Sequence, residues 1–169
     1  QENPLATVFN GSENDSWNRG VCVCPECKAW DVPREETFRF TWEGAAEDHV
    51  ALSDRYVRFW NTLADKLTKR YPDRDFFVSG GAYGAARPGP IREKPNDRVI
   101  VVVVANNTGL STDEIEKEHA AYTSAWGKLA RTVWRPNVWT RAGRWGLPET
   151  NLSRQAAAFR HAAENGGIG

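Results

Sequence analysis

Residues 98–105, with the sequence RVIVVVVA, decide the fold because every position after the first is apolar. Successive side chains of a β-strand point to opposite faces of the sheet, so a strand without polar alternation has to be covered on both faces. Strands of this kind are typical of parallel sheets packed between other layers. The segment therefore predicts a buried strand in the middle of an α/β protein.

Two helical patterns flank this strand. Upstream, apolar residues recur every three or four positions over residues 48–71, and Pro72 ends the pattern. Downstream, Ser111 and Glu114 form a capping box, and apolar residues continue at helical spacing as far as Val133. We predict a long amphipathic helix on each side of the strand.

Shorter patterns complete the α/β alternation. Residues 5–10 and 76–79 have strand character, a short fourth strand is expected within residues 132–139, and a last helix is predicted over residues 153–164, where glycines end it. Alternating strands and helices favour a parallel sheet. A complete eight-stranded barrel usually takes about 250 residues. The predicted fold is therefore a partial (β/α)8 TIM-barrel segment with about four parallel strands and long amphipathic helices.

The composition fits one globular domain. Of the 169 residues, 40% are apolar and 26% are charged, which is enough apolar material for a buried core. We predict a single α/β domain over residues 1–169. The 22 Lys and Arg residues balance 22 Asp and Glu residues without a basic stripe, which argues against a nucleic-acid partner. The longest apolar run, residues 99–105, is too short to cross a bilayer, so no membrane partner is expected.

The first residues indicate a piece of a longer protein. The chain contains no Met, and Gln1 leads almost directly into a strand-like segment, although a removed leader would look similar. We expect the remainder of the barrel as a partner. Without it, an open sheet edge and uncovered helix faces should cause self-association, and a monodisperse monomer in light scattering would contradict this expectation.

Cys22, Cys24 and Cys27 form a C-x-C-x-x-C motif, the most metal-like spacing in the chain. Structural zinc takes four ligands, and the three His residues lie far from the motif in sequence. One disulfide with one free thiol, or buried free thiols, are the alternatives to a zinc site.

Two carboxylates follow the first predicted strand. Glu13 and Asp15 are two residues apart, so in extended backbone their side chains leave on the same face and can meet one ligand. Glycoside hydrolysis uses one carboxylic acid to protonate the leaving oxygen and a second group to stabilise an oxocarbenium-like centre. Glu13 and Asp15 are therefore the candidate catalytic pair, with Asn14 as a candidate substrate ligand. The alternative is a hydrogen-bonded loop of turn-forming residues.

Other candidate ligands also follow predicted strands. Tyr83 comes after a Gly-Gly-Ala strand end and Asn106 comes after the apolar strand, both at the sheet edge where such folds hold their sites. Trp134, Arg135 and Asn137 combine aromatic and planar polar groups, which suits stacking on a sugar ring. A core tyrosine, a turn asparagine and a loop packed by its own tryptophans are the corresponding alternatives.

A series of short motifs extends along nearly the whole chain. The motifs are SEND (12–15), CVCPECKA (22–29), RFWN (58–61), YPD (71–73), AY (82–83), RP (87–88), WRPN (134–137), GLP (146–148) and AENGG (163–167). In this order they resemble a bacterial family first described as a domain of unknown function and partly reassigned to glycoside hydrolase family 163, the endo-β-N-acetylglucosaminidases.

The resemblance implies a secreted or periplasmic glycosidase that acts on an oligosaccharide or glycoprotein glycan containing N-acetylglucosamine, without a cofactor. It implies that the substrate's acetamide is the nucleophile. Asp15 and Glu13 would then be the acid and the acetamide-orienting carboxylate, in an order left open, and Tyr83 would bond the acetamide or a hydroxyl. Family members continue past the position of Gly169 into further barrel elements, so we expect the chain alone to be incomplete as an enzyme.

Two other functions fit the same sequence. The Trp-rich segment around Trp134 would serve a non-catalytic carbohydrate-binding module. The cysteine motif would serve an interaction domain organised by zinc. Carboxylate variants separate the enzyme from the binding module, because sugar binding survives in a module, and metal content isolates the zinc domain.

Overall fold

A computed structural model describes residues 7–12, 21–32, 38–42, 45–49, 51–105, 113–136 and 152–167. In chain order the elements are β1 (Val8–Asn10), α1 (Pro25–Lys28), β2 (Phe38–Trp42), β3 (Ala45–His49), α2 (Ser53–Arg70), β4 (Phe77–Ala82), a 3₁₀ turn (Gly84–Ala86), β5 (Val99–Ala105), α3 (Asp113–Gly127), β6 (Arg131–Pro136) and α4 (Leu152–Glu164). None of the helices in these ranges is both long and apolar enough to cross a bilayer.

The main sheet is parallel throughout and has the order β1-β4-β5-β6. The predicted apolar strand, β5, pairs with β4 on one side and with β6 on the other, so its central position is confirmed. Beyond β6, Gly167 forms an isolated parallel bridge with Thr132. The strands of this parallel sheet follow chain order, with α2 before β4 and α3 between β5 and β6, which agrees with the predicted segment of an α/β barrel; β4 and β5 are connected by the 3₁₀ turn and a loop.

One face of this sheet carries the core. Trp60 of α2 and Trp126 of α3 are fully buried against it, with ring centroids 6.2 Å apart. Val101 of β5 is buried beneath them, whereas Ile100 and Val102 on the opposite face are only half-buried. Among the described residues, the face of β5 toward the helices is fully covered, as expected, whereas the opposite face is only partly covered.

A two-stranded antiparallel sheet was not predicted. β2 and β3 pair from Phe38↔His49 to Trp42↔Ala45. Their pairing places residue 48 in a strand, so the prediction that the first long helix begins there is wrong, and α2 begins at Ser53. The sequence of β3, AAEDH, has no β-branched residue, which explains why its strand character was missed.

The helical pattern predicted to reach Val133 ends earlier. α3 ends at Gly127, and Val133 lies in β6. A Cβ at position 127 would lie 1.8 Å from the backbone oxygen of Asn165, so α4 packs where only a glycine leaves room. The last helix, α4, ends as predicted: Gly166 has a φ of 82°, and the N–H of Gly167 donates to the Ala162 carbonyl at 2.9 Å.

Candidate functional site

The carboxyl ends of the parallel strands form one edge of the sheet, where α/β folds place their sites. Ser12 follows β1 and Tyr83 follows β4 at this edge. The Ser12 hydroxyl oxygen lies 3.4 Å from the point where a Cβ on Gly81 would lie, so the connections after the two strands meet. The predicted pair Glu13 and Asp15 comes directly after Ser12 in sequence.

Several predicted site residues lie outside the described residues. These are Glu13, Asn14, Asp15, Asn106 and Asn137. Asn106 immediately follows β5 in sequence, and Asn137 immediately follows β6. Their assigned roles stay predictions.

Trp134 and Arg135 are neighbours in β6, but they do not share a face of the sheet. The ring of Trp134 contacts Phe159 of α4, with centroids 4.5 Å apart, so this tryptophan packs between strand and helix. Arg135 is exposed and, by strand alternation, points to the opposite face. The predicted grouping of both residues around one sugar ring stays a prediction.

A buried arginine is the centre of a polar cluster at the carboxyl edge. Arg87 has only 4% of its surface exposed. Burial lowers the pKa of its guanidinium, while the nearby Glu118, Tyr122 and Tyr83 oppose that shift by favouring its charge. The Tyr122 hydroxyl donates to the Glu118 carboxylate at 2.6 Å. Arg87 thus lies within electrostatic range of Tyr83, a predicted site residue, and of Glu118 and Tyr122, and sequence reasoning assigned none of these other three residues to a site.

The backbone around Arg87 is held from both long helices. The indole N–H of Trp126 donates to the Arg87 carbonyl at 2.9 Å, and the N–H of Leu52, at the start of α2, donates to the Ala85 carbonyl at 2.8 Å. Gly84 opens the turn with a φ of 51°, a left-handed conformation that favours glycine. Arg87 is therefore attached to a rigid support.

The sequence of α3 contains a signal for this cluster. Glu118, Tyr122 and Trp126 are spaced by four residues on α3, so they lie on one face of the helix. Trp126 is fully buried, so this face points toward the core. A carboxylate on a buried helix face needs a charged or hydrogen-bonding partner. Such a position is a mark of a site or an ion pair, although the partner itself, Arg87, cannot be deduced from helical spacing.

His119 lies beside this cluster. It is 9% exposed, and its Nδ1 atom has no hydrogen-bond partner within the part of the chain that the structure describes. Burial, and then the charge of Arg87, lower the pKa of His119 to about 4. By contrast, His161 contacts the Ser124 hydroxyl and the Ala120 carbonyl, each at 3.1 Å, as expected of an ordinary helical histidine.

The His119→Gln variant should remove part of the acid sensitivity of the fold. In the unfolded chain, histidine titrates near pH 6.5, so on acidification the unfolded state takes up the proton first. The stability that neutral His119 contributes is complete above about pH 6.5 and is lost as the pH falls toward 4. Between pH 7 and pH 5, we expect wild type to lose about 2 kcal/mol more unfolding free energy than His119→Gln. Urea unfolding at both pH values measures the difference, and parallel losses would contradict the prediction.

The three cysteines form a second cluster, separate from Arg87. They are free thiols, with Cys22 exposed and the other two half-buried, so they are not the buried thiols of one earlier alternative. The sulfur atoms of Cys22, Cys24 and Cys27 all lie within 4.8 Å of one another. Hydrogen bonds from the backbone and side chain of Cys24, and then from the Cys27 side chain, lower the pKa of Cys22. Hydrogen bonds to Cys22 and Cys24 raise the pKa of Cys27 to about 11.

Comparisons with known proteins give one relationship. The chain matches the family model described as domain of unknown function (DUF4838) over residues 1–140. Neither curated proteins nor solved structures gave a match. The matched region contains β1 to β6, the Arg87 cluster and the three cysteines. The chain therefore belongs to the DUF4838 family.

Proposed function

We propose that this chain forms part of the active-site edge of a glycoside hydrolase that acts on glycans containing N-acetylglucosamine. The observation that supports the proposal is the cluster of Tyr83, Arg87, Glu118 and Tyr122 at the carboxyl edge of the parallel sheet. Buried charge, hydroxyl groups and a carboxylate at this edge suit a polar substrate held against a rigid support. The resemblance to glycoside hydrolase family 163 supplies the substrate class.

In the proposed reaction, Asp15 and Glu13 divide two roles between them. One protonates the leaving glycosidic oxygen, while the other orients the substrate's acetamide, whose oxygen attacks the anomeric carbon and forms a cyclic oxazoline. Water, which gives its proton to the residue that acted as the acid, then opens the oxazoline at the same carbon, so two inversions retain the configuration. Both residues come just after Ser12, whose hydroxyl lies near Gly81 at the end of β4. Tyr83 follows the same end of β4. The catalytic acid, the acetamide of the bound substrate and Tyr83 would therefore lie at one edge of the sheet.

Tyr83 is the proposed orienting hydroxyl. Tyr83 lies close enough to Arg87 to act on its charge, and a positive charge near a phenol strengthens the hydroxyl as a hydrogen-bond donor. The hydroxyl would donate to the acetamide oxygen or to a sugar hydroxyl. We also propose a secreted or periplasmic location and a glycoprotein or oligosaccharide substrate. Further barrel strands would complete the barrel and cover the half-buried face of β5.

Release of oligosaccharide from a complex N-glycoprotein, measured by mass spectrometry, tests the proposal in the full-length protein. Asp15→Asn and Glu13→Gln should each lower turnover by about 100-fold or more, since general acid–base groups contribute that much. Tyr83→Phe should lower it by about 10-fold, the effect of one hydrogen bond to substrate. Tyr71→Phe is the matched control. Tyr71 lies at the C-terminal end of α2, whereas the N-terminal end of this helix contacts the segment that carries Arg87, so the Tyr71 variant should not affect the proposed site.

The outcomes distinguish the alternatives. Unchanged turnover in Asp15→Asn and Glu13→Gln would show that these carboxylates are not catalytic. Glycan binding by a full-length protein that never releases oligosaccharide would favour the carbohydrate-binding module. Equal losses in Tyr83→Phe and Tyr71→Phe would remove the orienting role of Tyr83.

A further inference from the structure

The three cysteine sulfurs are arranged closely enough for one metal ion to contact them all. Their mutual separations are at most 4.8 Å. A tetrahedral zinc ion with bonds of about 2.3 Å to sulfur holds two thiolates about 3.8 Å apart. Each pair therefore has to approach by no more than about 1 Å, which side-chain rotation in a surface loop can supply.

The backbone around Cys24 is already shaped like a metal-binding turn. Cys24 precedes Pro25–Lys28, and its sulfur accepts a hydrogen bond from the backbone N–H of Cys27 at 3.4 Å. An N–H that donates to a thiolate stabilises its negative charge, which metal coordination requires. Cys24 and Cys27 thus approach one point before any ion binds.

The two ends of the cysteine loop are held by one arginine on α2. The Arg55 guanidinium donates to the Cys22 carbonyl at 2.7 Å and to both carboxylate oxygens of Asp31, at 2.7 and 2.5 Å. Arg92 also donates to the Trp30 carbonyl at 2.9 Å, and the Arg58 guanidinium lies 4.7 Å from the centre of the Trp30 ring. These contacts order the loop before binding, so less conformational entropy is lost when an ion is bound.

We propose that Cys22, Cys24 and Cys27 bind one zinc ion through their three sulfur atoms. Thiolates select zinc and other soft or borderline ions over magnesium and calcium, which prefer oxygen. Zinc takes four ligands, and the fourth position is open to water or to the carboxylate of Glu26, which is adjacent to Cys27 in the same loop. A disulfide would use only two of the three sulfurs, whereas an ion explains why all three converge.

The zinc ion would hold the connection between β1 and α2 in place. That connection contains residues 13–15 as well as the cysteines, and it ends at α2, where Ser53 and Asp54 bond the loop after Arg87. The ion has a structural role at this end of the molecule and takes no part in the proposed hydrolysis. Its binding can therefore be tested without a glycan substrate.

The test uses the full-length protein, reduced, stripped with a chelator and titrated with Co²⁺ and then Zn²⁺. One equivalent of Co²⁺ should give near-ultraviolet sulfur-to-metal charge-transfer absorption, and Zn²⁺ should abolish it. Cys24→Ser should weaken Zn²⁺ binding by more than about 100-fold, because loss of an outer partner alone costs about 10- to 100-fold. Val23→Ser, at a position 70% exposed within the same loop, is the matched control and should bind as wild type does.

Alkylation of the wild-type protein gives a measurement that does not depend on how the variants fold. Zn²⁺ should protect all three cysteines from iodoacetamide, as read by peptide mass spectrometry. Absence of protection, or protection of only two cysteines through a disulfide in the reduced and metal-loaded sample, would overturn the proposal. Equal Zn²⁺ affinity in Cys24→Ser and Val23→Ser would overturn it as well.

Discussion

Asp54→Ala is expected to lower the free energy of unfolding by about 4 kcal/mol. Asp54 is 2% exposed, and its carboxylate accepts hydrogen bonds from the backbone N–H groups of Ile91, Arg92 and Glu93, the shortest at 2.7 Å. Alanine leaves three donors without their acceptor. A hydrogen bond to a charged group contributes about 1.5–3 kcal/mol, and since the three N–H groups are only partly buried, water recovers part of what the three bonds contribute.

Urea unfolding followed by tryptophan fluorescence measures this loss. Asp65→Ala is the matched control, since Asp65 lies on an exposed part of the same helix and should change stability by less than about 0.5 kcal/mol. Asp54→Asn retains one acceptor oxygen and should give an intermediate value. Equal unfolding midpoints for Asp54→Ala and Asp65→Ala would show that the loop at residues 91–93 does not depend on this carboxylate.

Gly80→Ala is expected to destabilise the protein by about 3 kcal/mol through a steric clash, since overpacking a core typically costs 1–3 kcal/mol. A Cβ at position 80 would lie 2.2 Å from Cε2 of Trp60, well inside contact distance. The Trp60 ring cannot rotate away easily, because it is fully buried and its N–H donates to the Gly11 carbonyl at 2.9 Å. The sheet or α2 therefore has to move.

The neighbouring glycine provides the control for this second variant. A Cβ at Gly81 would approach the Ser12 hydroxyl at 3.4 Å, an ordinary contact, so Gly81→Ala should change stability by less than about 1 kcal/mol. Both variants add one methyl group at adjacent positions of β4. They differ only in the face of the sheet to which that methyl group points. Similar thermal unfolding temperatures for both would contradict the clash with Trp60.

Much of the fold could be predicted because its signals are local. The apolar run of β5 and the three- to four-residue spacing in α2 each reflect burial of one element, and both survive in the structure. The element boundaries that were predicted wrongly lie where distant parts of the chain are in contact. Gly127, where α3 ends, lies against the backbone of Asn165 just after α4, and β3 pairs with β2.

The candidate site was less predictable than the fold. Tyr83 could be assigned to the carboxyl edge because it follows a strand, and Glu13 and Asp15 were placed after β1 by the same reasoning. Arg87 could not be linked to Glu118, because 31 positions of sequence separate them and no periodicity connects them. Asp54 fell inside the predicted helix, and its hydrogen-bond partners lie 37 to 39 positions further along the chain, beyond any local pattern.

The sequence by itself therefore determined the α/β class, the central place of β5 and the end of α4 at Gly166, because these follow from strand alternation, helical spacing and the conformational freedom of glycine. It also determined that three cysteines stand close together along the chain. Only the tertiary structure decided which polar groups act on one another: the charge of Glu118 acts on Arg87, and Asp54 binds the loop at residues 91–93. The reason is that these pairs are joined by chain crossovers, and contacts across a crossover depend on how whole elements pack rather than on any local pattern.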